Sequence, residues 1–148
     1  MFADFISRLI QPEPPMLPDH DARLALGALL VRIARSDGEY AQEEAVRIER
    51  ILGARYNLTS AGASDLRHAA ERLEAEAPDT VRFTRAIKDA VPYEQREGVV
   101  EALWEVVLAD GIRDAEEDSL LRLAANLLGV NDRDSALARQ RAESRLAT

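Results

Sequence analysis

Residues 29–48, LLVRIARSDGEYAQEEAVRI, return 73 positions later as ALWEVVLADGIRDAEEDSLL, residues 102–121. Leu30 returns as Leu103 and Ile33 as Val106. Asp37-Gly38 returns as Asp110-Gly111, Glu43-Glu44 as Glu116-Glu117, and Ile48 as Leu121. In each copy the apolar residues keep helical phase up to an Asp-Gly pair, where glycine accepts the left-handed conformation that ends a helix. Paired glutamates then open the next helix. A helix–corner–helix unit cannot bury its apolar stripe alone, so two copies demand each other and their connecting helices. The expectation is an all-α chain: a helical bundle of six to seven helices with an internal duplicated helical hairpin.

The rest of the chain fits that frame. Apolar spacing predicts helices over 20–36 (Leu26, Leu29, Leu30 and Ile33 inward), 42–54 (Ala45, Ile48, Leu52) and 60–76 (Leu66, Ala69, Ala70, Leu73). Thr59 or Ser60 caps the third of these. A fourth, capped by Asp79, carries Phe83, Ile87 and Ala90. A fifth, opened by Pro92, runs to 109 with Val99, Leu103, Val106 and Val107 inward. A sixth, 115–128, turns Leu120, Leu121, Ala124, Leu127 and Leu128 to the core and ends at Gly129. No window alternates with period two, so no strand is expected. Residues 131–148 are read as a basic tail holding a frayed seventh helix, with Arg133, Arg139, Arg141 and Arg145 in solvent. Residues 1–10 place Phe2, Phe5, Ile6, Leu9 and Ile10 on one helical stripe, and QPEPPMLPDH then sets four prolines in ten residues as an extended linker. The division is therefore 1–19, helix and linker; 20–130, helical domain; and 131–148, tail.

The repeated segments resemble the TerB-like family of tellurite resistance proteins. The signature is an apolar helix, Ala-Asp-Gly, a short turn, and a Glu seven positions after the Asp. Positions 37 to 44 and 110 to 117 both keep that spacing; the second copy reads ADGIRDAEE, the first SDGEYAQEE with Ser36 in place of Ala. The resemblance covers about residues 20–130. It implies an all-helical, acidic protein of bacterial metal or stress responses, one that binds divalent cations or protein partners and does not turn over substrate.

Charge and composition narrow the function. The net charge of −8 repels phosphate backbones, so nucleic acid is not an expected partner, while divalent cations and basic protein surfaces gain. The absence of cysteine removes disulfides, thiolate catalysis and Cys-based zinc sites, and fits a reducing, cytoplasmic setting. The N-terminal segment lacks the basic and continuous apolar regions of a signal peptide. No phosphate loop, nucleophile elbow or paired nucleophile and base is present, so the chain is not read as an enzyme.

The candidate site is the pair of corners. Asp37 and Asp110 are ordinary turn residues by type, yet each stands at a helix carboxyl end, where the macrodipole disfavours an anion. Such a placement, used twice, suggests cation binding or a bond to the next helix's free amides. Glu44 and Glu117 fall near the third position of their helices, and Asp114 with Glu117 reads as a capping box, for which Ala41 in the first copy lacks a side-chain cap. Functionally, Asp37, Glu39 and Glu44 in one copy, and Asp110, Asp114 and Glu117 in the other, offer hard oxygen ligands suited to Ca²⁺ or Mg²⁺. The spacing is not that of an EF-hand. His20 and His68 read as surface or capping residues, and Trp104 as core packing. The apolar stripe of residues 1–10 is expected to be covered by protein, through self-association or a partner, in preference to lipid. A peripheral-membrane adaptor working through that stripe is the alternative role.

Overall fold

The computed structural model describes residues 19–36, 40–76, 80–109 and 115–147. These form seven α-helices: α1 Asp19–Arg35, α2 Gln42–Tyr56, α3 Ser60–Glu76, α4 Thr80–Ala90, α5 Tyr93–Ala109, α6 Ala115–Leu127 and α7 Asp132–Ala147. No strand occurs among the described residues. The all-α expectation and the six inner helices stand, with ends within two residues of those read from the sequence. The stripe and linker of residues 1–18, including the expected helix over 1–10, lie outside the described residues.

Helix ends are set by local chemistry. Asn57 closes α2 in the left-handed conformation, at φ 53°, and Leu58 N–H returns to Gly53 O at 2.9 Å. Gly129, at φ +78°, does the same for α6, with Val130 N–H bonded to Ala125 O at 3.0 Å; both are Schellman closures. Thr59 Oγ1 accepts Gly62 N–H at 3.0 Å and caps α3. Asn131 Oδ1 accepts Asp134 N–H at 2.8 Å and caps α7. One side chain ties two ends together: Arg96 donates from Nε to Val91 O, just past α4, and from Nη1 to Leu128 O, just past α6, both at 2.9 Å.

The core forms around two helices. α1 packs against α2, α3, α4, α5 and α6, and Leu24, Leu26, Leu29, Leu30, Val31 and Ile33 are all buried, so that it has almost no solvent face. α5 is nearly as enclosed, from Val99 through Leu103 to Val107. These are the first helices of the two repeats. Equivalent positions are buried in both: Leu26 and Val99, Leu30 and Leu103, Ile33 and Val106, Ile48 and Leu121, Leu52 and Ala125. Each large aliphatic side chain removed from water contributes about 1.5–3 kcal/mol, so the duplication supplies the centre of the fold.

The basic segment 131–148 differs from the solvated tail read from its sequence. From 132 to 147 it is a continuous helix packed along α5. Ala138 and Ala142, one turn apart, are fully buried and let the two backbones approach. Glu101 on α5, only 6% exposed, pairs with Arg141 at 2.7 Å and Arg145 at 2.9 Å. Arg145 also reaches Glu105 at 2.9 Å. Arg133, Arg141 and Arg145 are exposed as read, whereas Arg139 is half-buried over the Trp104 ring, and Arg141 and Arg145 face acids 40 residues away in sequence.

Candidate functional site

α1 ends at the first corner with Ser36, whose hydroxyl donates to Ile33 O at 2.7 Å. Asp37, Gly38 and Glu39 lie outside the described residues. The chain resumes at Tyr40 and enters α2 through Ala41, which has extended backbone at φ −78°, ψ 160° and no side-chain acceptor for the first free amides. Glu44, half-buried, reaches back so that its Oε1 accepts Ala41 N–H at 3.3 Å. That is the second half of a capping box, with the first half missing as expected. Glu43 and Glu44 together put negative charge at the positive end of α2.

Behind the corner stands a polar network that sequence reading did not identify. Tyr40 Oη donates to Glu71 Oε2 at 2.5 Å. Arg67 bridges Glu71 at 2.7 Å and Glu49 at 2.8 Å, joining α3 to α2. Arg35, at the end of α1, lies over the Tyr40 ring at 4.8 Å and pairs with Glu74 at 3.2 Å. Arg32 pairs with Glu74 too and lies over Phe83. Burial, and then the hydrogen bond to the Glu71 carboxylate, push the Tyr40 phenol well above its ordinary range. Tyr40 is thus a neutral donor that ties the entry of α2 to Glu71 on α3 and Arg35 on α1. The only sequence signal for this was the Arg67–Glu71 spacing of one helical turn.

At the second corner, Asp110 and Asp114 lie outside the described residues. Glu117 stands in the first turn of α6, and its side chain is not among those described. Of the six candidate ligands, only Glu44 therefore has described side-chain geometry, and that geometry is capping. Among the described residues no three carboxylate or imidazole side chains converge as metal ligands. His68 is exposed, with Nδ1 2.8 Å from Ser64 O within its own helix. Trp104 is buried against α7, its indole N–H donating to Ser135 Oγ at 3.2 Å with Arg139 over the ring at 5.3 Å.

Two hairpins in common burial phase, with α1 and α5 at the centre, define a duplicated-hairpin helical bundle. The family model described as "Tellurite resistance protein TerB" matches residues 23–140, a span that takes in both repeats and enters α7. The chain belongs to the TerB family. No curated protein and no solved structure matches it.

Proposed function

We propose that this TerB-family chain is a non-catalytic binding module of a bacterial stress or tellurite response, working in the cytoplasm. Its ligand is a divalent cation, Ca²⁺ or Mg²⁺, or the basic surface of a protein partner, held at the two Asp-Gly corners. The observation that carries this reading is the shared burial phase of α1–α2 and α5–α6. Equivalent helices flank both corners, which supports equivalent roles for the acids that share their sequence positions, Asp37 with Asp110 and Glu44 with Glu117. The Tyr40–Glu71–Arg67 network supports the reading, because a binding loop needs a rigid base.

The test is a cation titration read by thermal melting. Carboxylates gathered at a corner repel one another, and a cation that relieves the repulsion binds the folded state preferentially. Stabilisation then follows mass action, about 2.7 kcal/mol at a free concentration one hundred times the dissociation constant. Asp37→Asn with Asp110→Asn abolishes the cation-dependent part. It leaves the apo protein equally or more stable, since an anion at a helix carboxyl end costs a few tenths of a kcal/mol. If calcium, magnesium and manganese stabilise no more than sodium at matched ionic strength, the cation reading fails, and the acidic corners are left to a protein partner.

A further inference from the structure

On the side of the bundle where α2, α5 and α7 meet, a cleft of about 630 Å³ opens. It lies within the ordinary range of small-molecule sites, roughly 300–1,000 Å³. Arg47, Arg50 and Arg55 line it from α2 and Arg145 from α7, while Glu101 and Glu105 stand on α5. The two carboxylates are already matched by Arg145, and Glu101 also by Arg141. Arg47 lies near enough to Glu105 to influence its charge. Neither Arg47 nor Arg50 makes an ion pair with any described residue.

Arg55 is held in an incomplete bonding state. Its Nε–H is buried with no hydrogen-bond partner, and its Nη2 makes one long bond, 3.5 Å, to Gln95 O. An unsatisfied buried donor costs about 1–3 kcal/mol. Space for this guanidinium depends on Gly98: a Cβ there would come within 3.1 Å of Arg55 Nη1. In a chain of net charge −8, a cleft lined by four guanidiniums and two carboxylates is a local reversal of sign. An anion in the cleft would offset that excess of positive charge. Guanidinium forks match tetrahedral oxyanions in a bidentate manner, and Ile51, Ala54 and Ala102 add an apolar wall for an organic remainder.

We infer that the α2–α5–α7 cleft is an anion site for a small phosphorylated molecule, its phosphate held by Arg47, Arg50 and Arg55. The site is distinct from the acidic corners and does not rest on them. The test is calorimetric titration of the full chain with inorganic phosphate, pyrophosphate, AMP and hexaglutamate, each against sodium chloride at matched ionic strength. Saturable binding of AMP or pyrophosphate is expected with a dissociation constant below about 1 mM. Inorganic phosphate binding as tightly as AMP would mean the apolar wall contributes nothing and would overturn the organic part of the assignment. Arg47→Gln with Arg50→Gln weakens binding at least about tenfold, whereas Arg133→Gln on the far end of α7 does not. Gly98→Ala weakens it through displacement of Arg55. Asp37→Asn with Asp110→Asn leaves it unchanged, which separates this site from the cation reading. No saturable binding, binding unaltered in the Arg47/Arg50 variant, or binding of hexaglutamate alone would each overturn the inference, the last making the cleft a docking surface for acidic protein.

Discussion

Gly27 stands in the middle of α1, where alanine would ordinarily favour the helix by about 0.5–1 kcal/mol. An added Cβ would come within 2.7 Å of the Ala70 Cβ on α3, a separation that packed atoms do not tolerate. Gly27→Ala should therefore destabilise the fold by about 1–3 kcal/mol, read from urea unfolding, and Ala70→Gly should recover part of the loss in the double variant; a stabilised single variant would mean the α1–α3 contact yields. Tyr40→Phe should cost about 1 kcal/mol through the lost bond to Glu71. Glu105 carries a pH signature. Burial raises its pKa, and the Arg145 charge and hydrogen bond oppose the shift without cancelling it. A carboxyl whose folded pKa is raised favours folding while protonated, so its contribution is full below its unfolded pKa and is lost as pH rises through the folded value. Glu105→Gln should accordingly gain stability relative to the parent as pH climbs from about 4 towards 7. Parallel stability curves for the two proteins would show that Arg145 fully offsets the burial.

At the scale of helices, α7 is the element to remove. It covers Trp104 and the carboxylates of α5, so ending the chain at Asn131 should lose several kcal/mol and the sharpness of thermal unfolding by circular dichroism. An unchanged melting curve would make α7 an ornament. The same helix marks where sequence reading runs out. The inward residues of α2, α3, α4 and α6, apart from the half-buried Leu127, followed from one-sided periodicity, because those helices each keep a wet face. α1 and α5 are buried nearly all round, and periodicity carries no record of that; centrality depends on how many neighbours arrive. In α7 the buried stripe is Ala138 and Ala142, too small to stand out among sixteen mostly polar residues. Its ion pairs to α5 join positions 40 or 44 apart, which no local pattern encodes. The corners were legible as a repeat, and Glu44 as a capping residue, whereas the Tyr40–Glu71–Arg67 support and the arginine cleft need three helices brought together before they exist.

For the whole molecule, the excess of negative charge sets the response to salt. Screening lengths fall to about 10 Å at 0.1 M, so long-range repulsion in a chain of net charge −8 weakens before the ion pairs at 2.7–2.9 Å do. Raising sodium chloride from about 20 to 200 mM should lift the melting temperature by roughly 2 °C or more. A fall would mean that the arginine bridges outweigh the repulsion. The placement of Trp104 has its own experimental use. It is the single tryptophan of the chain, and it sits on the seam between α5 and α7, with the Ser135 hydroxyl on its indole nitrogen and the Arg139 guanidinium on its face. Ultraviolet emission from the native protein is therefore a gauge of one joint. Parting of that joint would redden and alter the emission while the helix content of the remaining bundle stayed put, so that breathing of the last helix can be timed without any label.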